Sequence, residues 1–251
     1  MVRKTRNIVM AVSVGLIGYS CLVGYNQHHE YKTTQIVYAE INEEAVIKQP
    51  ELTKELKTTI SVNELDVLIT HDINFDMLLE QNHETIGWIS IEQLEIEFPI
   101  VQTANNVFYL KHTFDRTENK YGTIMLNCDN KATFTDQNSI IYGHTFEDDS
   151  MFGPLKDYLD IQDELEHFYI YTPHETIEYE IIAVAQVEKT HDIYQVKFKD
   201  GDFLRCMEDI KDKASYYNYS KDTEEEIVTL STCSDNGNKR LVVIAKRFVK
   251  E

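Results

Sequence analysis

From Ile86 to the end, eight short runs rich in β-branched and aromatic residues alternate with polar turns. They occupy 86–91, 94–101, 123–126, 139–142, 168–171, 177–187, 227–230 and 241–245. Runs of this length at this spacing predict a mainly β fold, an eight-stranded barrel closed or nearly closed on itself. Helical spacing precedes the pattern at 75–80 and interrupts it at 151–158 and from 202 to about 216, where Phe203, Leu204, Met207 and Ile210 keep helical spacing. The last helix sits in a long insertion before the strand that ends at Cys233.

The N-terminus has a different texture. Arg3, Lys4 and Arg6 precede an uncharged, mostly apolar run over 8–25, and no acidic residue occurs before Glu30. A basic flank followed by an apolar run reads as an export signal or a membrane anchor. The run is short for a span, which needs roughly 17–25 residues, and no clear small-x-small cleavage site follows. The expectation is an uncleaved single-pass anchor, basic end inside, with the rest extracellular; a cleaved signal peptide is the alternative. From His28 to about Leu68 the chain is polar, without a sustained apolar period, although 51–57 is compatible with helix. The expected division is a cytoplasmic tail at 1–7, an anchor at 8–25, an extracellular stalk at 26–74 and a β-rich domain at 75–251. The net charge is −19. Phosphate backbones repel such a chain, so nucleic acid is not an expected partner.

Four cysteines are present: Cys21, Cys128, Cys206 and Cys233. Cys21 lies in the apolar run, and the other three are odd in number and irregularly spaced. That is not a disulfide framework, although a Cys128–Cys206 pair stays open. No Cys/His spacing suggests zinc, no acidic cluster reads as a calcium site, and no cofactor is called for. Catalysis is one reason for an exported chain to keep a reduced thiol.

A thiol nucleophile needs a proton-shuttling partner, a donor for the developing oxyanion and a cleft. Cys233 ends an apolar run and precedes Ser234-Asp235-Asn236-Gly237-Asn238. It is either a half-exposed nucleophile at a strand end or a small buried hydrophobe closing the strand. The residues alone leave both open. His144 follows Tyr142-Gly143 at the end of another apolar run, where Gly143 permits a sharp bend. It is the best placed of nine histidines to serve as acid and base. His28, His29, His71 and His83 fall in the stalk or early helix; His112, His167, His174 and His191 read as surface residues. Arg240 opens the last strand, seven residues beyond Cys233. It is either an oxyanion donor across a hairpin or a solvated strand-edge charge.

Thr229-Leu230-Ser231-Thr232-Cys233, the downstream Arg240 and the upstream Tyr142-Gly143-His144 together resemble the signature of sortases, cysteine transpeptidases of Gram-positive bacteria. The resemblance runs from about Phe75 to the end and is nearest to class B. It is carried further by Ile86-Gly87-Trp88-Ile89, Phe98-Pro99-Ile100-Val101-Gln102, Tyr109-Leu110-Lys111-His112, Gly122-Thr123-Ile124 and Ser150-Met151-Phe152-Gly153-Pro154-Leu155. The insertion before Cys233 is a class B feature. An Asp-Pro-aromatic lid of the class C kind is absent, since none of the four prolines follows an aspartate. Near Asn127 the family usually has Asp.

The resemblance implies a catalytic set of His144, Cys233 and Arg240, with Asp235, Thr232, Ser231 and Tyr142 as candidate supporting residues. It implies that Cys233 attacks the Thr carbonyl of a C-terminal sorting signal on a secreted protein and that a thioester acyl-enzyme forms. An amine of the peptidoglycan cross-bridge then resolves it or, in pilus-building relatives, a pilin lysine. An exported cysteine peptidase that only hydrolyses, and a membrane-tethered binding module with an inert Cys233, are the competing readings.

Overall fold

In the computed structural model, residues 2–47, 72–146, 148–160, 165, 167–220, 225–233 and 239–249 are described. A helix α1 (Val2–Ala45) leads through β1 (Val46–Ile47) and β2 (Asp72–Ile73) into α2 (Phe75–Gln81). The strands that follow are β3 (Thr85–Ile91), β4 (Ile96–Val101), β5 (Met125–Leu126), β6 (Asn138–His144), β7 (Phe168–Tyr171) and β8 (Thr176–Glu188). After α3 (Asp202–Lys211) come β9 (Ala214–Tyr217), β10 (Ile227–Cys233) and β11 (Lys239–Arg247).

Each of the eight expected runs is a strand. They order as β11-β10-β6-β5-β4-β3-β7-β8, and pairing of β8 with β11 closes the barrel. Alternation along β11 shows how two layers are built from one strand. Leu241, Val243 and Ala245 face the barrel interior with Trp88, Ile141 and Leu230, whereas Val242 and Ile244 pack outward with Phe203, Met207 and Ile210 of α3. The helix of the insertion thus roofs one outer face of the barrel.

Three local expectations change. The helix expected to about 216 stops at Lys211, and Ala214–Tyr217 instead pairs with Ala183–Ala185 of β8. An available strand edge there outweighs local helical preference. The stretch expected as helix from Met151 bridges Thr145 through Met151 and then forms a 3-10 helix over Gly153–Leu159, with Pro154 in its first turn. Cys128 and Cys206 are both free thiols, so they do not pair. Cys206 lies on the buried face of α3 among Phe198, Phe203 and Met207, and burial pushes its thiol up to about 12.

Residues 26–47, read from sequence as stalk, are largely the C-terminal part of α1. Thr34, Tyr38, Ile41 and Ala45, spaced by helical turns, are buried against the barrel. The Tyr38 ring meets Phe98 edge-on at 5.1 Å, and Asn74 N donates to the Ala45 carbonyl at 2.8 Å. The helix-compatible stretch at 51–57 lies outside the described residues. So does the rest of the expected stalk up to residue 71. The membrane-spanning anchor expected over 8–25 falls within α1 and gains no support: among the described residues no helix is long and apolar enough to cross a membrane.

Candidate active site

Strands β6 and β10 run parallel and in register from Ile227↔Asn138 to Cys233↔His144. Both ladders thus end on the same row, with Cys233 and His144 as backbone partners. Strand alternation puts His144, Tyr142 and Asn138 on one face, with Ser231 and Thr229 beside them. On the other side of β10, β11 pairs antiparallel, Leu230↔Val243 and Ser231↔Val242. Extending that register by two residues sets Arg240 opposite Cys233. Thr232 Oγ1 holds the intervening row, accepting from Leu241 N at 3.1 Å. Arg240 is half-buried, on the Val242 face.

The imidazole of His144 is half-buried and fixed from one edge. Its Nε2 lies 2.8 Å from the Leu110 carbonyl oxygen. A carbonyl only accepts, so Nε2 carries the proton and donates it. In the neutral ring Nδ1 is then the nitrogen without the proton. Gly122 closes the space behind Cδ2. It has φ +62°, and a Cβ built there would stand 3.1 Å from His144 Cδ2 and run into the Tyr109 carbonyl. Phe146 flanks the ring at 5.5 Å between centroids.

Gly143 plays a different part from the one its sequence position suggests. It lies within β6, paired with Thr232, rather than at a bend. A Cβ there would strike Ile124 and Phe152 at 2.5 Å. Glycine is needed because the barrel core has no room beneath this row.

Below the Cys233–His144 row, Tyr142 and Ser231 are register partners. Tyr194 lies over both. Its hydroxyl is 2.9 Å from Ser231 Oγ, and its ring stacks on Tyr142 at 6.4 Å. The Tyr142 hydroxyl accepts from Asn127 Nδ2 at 3.2 Å, and Asn106 Nδ2 donates to Asn127 Oδ1 at 3.1 Å. The 192–196 segment that carries Tyr194 is pinned by Asn138, whose amide donates to the carbonyls of Ile193 (2.6 Å) and Gln195 (3.1 Å).

Of the residues singled out from sequence, the fold therefore gathers His144, Cys233, Arg240, Tyr142, Ser231 and Thr232 at one end of three adjacent strands. Thr232 faces the interior and Ser231 is engaged by Tyr194, so both hold the site together. Asp235 lies outside the described residues. His191, read as a surface residue, is largely buried and bonds Asp209 at 2.5 Å, tying α3 to the 192–196 segment. Tyr194 and the Leu110 carbonyl were missed. Tyr194 sits in an aperiodic stretch, and a backbone carbonyl leaves no trace in residue identity. Among the described residues no group of three His, Cys, Asp or Glu side chains could hold a metal ion.

The Sortase domain model matches residues 89–248. Sortase B of Listeria monocytogenes is 32% identical over 180 residues, covering 69% of this chain and 73% of that protein. Among solved structures, sortase B from B. anthracis aligns with a TM-score of 0.68 at 29% identity, covering 89% of this chain and all of that one. A Staphylococcus aureus sortase B–substrate complex aligns with a TM-score of 0.63 at 25% identity, over 70% of this chain and 85% of that one.

Proposed function

The chain belongs to the sortase family of cysteine transpeptidases, in class B, and from that premise we propose that Cys233, His144 and Arg240 form its catalytic set, acting on a C-terminal sorting signal of a secreted protein. The register of β10 against β6, with Cys233 beside His144, is the observation that carries this reading. The Cys233 thiolate attacks the carbonyl carbon of the signal's Thr, forming a C–S bond and a tetrahedral oxyanion. Arg240, across the β10–β11 pair, donates to that oxygen. As the C–N bond breaks, the Nδ1 proton of imidazolium His144 passes to the leaving amine, and a thioester remains. An incoming amine attacks the thioester, gives its proton to Nδ1, and releases the thiolate.

The acceptor is an amine of the peptidoglycan cross-bridge. Anchorage at the membrane by the N-terminal segment fits this role, because tethering enzyme and substrate to one surface raises their effective concentration. The support is the basic flank at Arg3, Lys4 and Arg6 ahead of the uncharged, mostly apolar run over 8–25.

The test is cleavage of a sorting-signal peptide by the purified chain with and without triglycine. The expected result is a triglycine-ligated product, abolished in Cys233→Ala while the circular dichroism spectrum is unchanged. Hydrolysis alone at saturating triglycine would identify a peptidase instead. Ligation to a pilin lysine in preference to triglycine would move the acceptor to a pilus subunit. Full activity in Cys233→Ala would end the reading.

A further inference from the structure

We infer that Tyr38 of α1 is a positioning residue for His144, acting through the Gly122 backbone. The inference rests on the reading of His144 as the general acid. The Tyr38 hydroxyl is buried, donates to the Gly122 carbonyl at 2.8 Å and lies 3.2 Å from Thr123 Oγ1. Gly122 is the residue packed behind the Cδ2 edge of His144. Thr123 N in turn donates to the Tyr109 carbonyl at 2.9 Å, which ties this strip to the Tyr109–Leu110 backbone that receives the Nε2 proton. The two backbone pieces that define the fixed edge of the imidazole are therefore joined to each other, and one phenol secures the join.

The rest of α1 grips the same strip. Asn119 Nδ2 donates to the Glu30 carbonyl at 3.4 Å, Lys120 pairs with Glu30 at 3.6 Å, and the Tyr31 and Tyr121 rings lie 6.2 Å apart. Tyr121 continues the contact to Phe146 at 4.3 Å, and Phe146 flanks His144. The Tyr38 bond is a direct hydrogen bond from α1 to Gly122, behind the Cδ2 edge of the imidazole. Burial raises the Tyr38 pKa, so the hydroxyl stays a donor across the working pH range. Without it, the Gly122 carbonyl is left in a buried site with one partner fewer, and the strip behind the ring loosens.

The experiment compares Tyr38→Phe with Phe98→Leu in the full chain. Phe98→Leu removes the aromatic partner of Tyr38 but leaves the hydroxyl bond in place, so it weakens the docking of α1 alone. Tyr38→Phe is expected to lower kcat for peptide cleavage about fivefold, the equivalent of one neutral hydrogen bond, with KM unchanged. The pH–rate limb assigned to His144 should move. In 15N spectra the His144 ring nitrogens should shift from a single Nε2–H tautomer toward a mixture. Phe98→Leu should lower Tm and change neither kcat nor the nitrogen shifts. Wild-type kcat and nitrogen shifts in Tyr38→Phe, or equal losses in both variants, would overturn the inference. Because the nitrogen shifts need no turnover, they report on the Tyr38 link even if Cys233→Ala were to refute the catalytic assignment.

Discussion

Cys233 and His144 are paired residues at the common end of the parallel strands β10 and β6. Parallel partners lie with their backbones side by side about 4.8 Å apart. The relation is set by main-chain pairing over seven consecutive rows, so it does not depend on side-chain conformation.

Arg240→Ala is expected to lower kcat by about 10²–10³-fold, the typical loss for one oxyanion donor, with KM for the peptide little changed. Arg240→Lys should recover only part of it, since an ammonium lacks the planar fork of donors. Steady-state kinetics on both variants, with Tm as a check on folding, measures this.

Gly122→Ala should cost about 1–3 kcal/mol of stability, because its φ of +62° belongs to the left-handed region and the added Cβ meets the Tyr109 carbonyl. The same Cβ presses on His144. Activity of the residual folded protein should therefore fall below that of Asn138→Ala, which is destabilised by other means. Urea denaturation followed by assay at low temperature separates the two effects.

Asn138→Ala should destabilise by about 3 kcal/mol or more. The side chain is fully buried and serves the carbonyls of Ile193 and Gln195 and the Thr229 hydroxyl, and each buried group left unpaired costs about 1–3 kcal/mol. The segment carrying Tyr194 should also lose protection in amide hydrogen exchange.

Alkaline pH should weaken the fold through Cys206. Its folded thiol pKa, about 12, is above the ordinary value of 9.0 because burial penalises the thiolate. The stability that the protonated thiol contributes is complete below pH 9 and is lost as pH rises from there toward 12, where the unfolded chain ionises first. Cys206→Ala should flatten the pH dependence of Tm across that window. In the native protein near pH 8, Cys206 should also resist thiol reagents that label Cys128.

The barrel was legible because its strands are short apolar runs between polar turns, and each of the eight was found where the pattern put it. The strands at the site run past their apolar runs, β6 to His144, β10 to Cys233 and β11 from Lys239, and the last two ends match the reading that ends one strand at Cys233 and opens the next at Arg240. Ladder pairing carries a strand through residues that show no alternation. Strand β9 was read as helix because Ala214–Tyr217 continues the texture of α3 and is only partly covered. The docking face of α1 was hidden for another reason. Thr34, Tyr38, Ile41 and Ala45 do keep helical spacing, but a threonine, a tyrosine and an alanine make a weak apolar stripe amid charges. At the site, the motif residues could be named from sequence. The tautomer of His144 could not, since it follows from a carbonyl that the fold delivers.

The parallel pairing of β6 with β10 has a consequence for when the enzyme becomes dangerous to its surroundings. The two residues proposed to react come from segments far apart along the chain; even the Asn138–Thr229 bond in the same ladder spans 91 positions. Closing so distant a pairing is the late, slow part of building a barrel. A chain still being made carries His144 before Cys233 exists, and the two meet only when β10 pairs with β6. Reactivity is thereby delayed until the barrel is complete, and half-made copies do not acylate themselves on passing substrates.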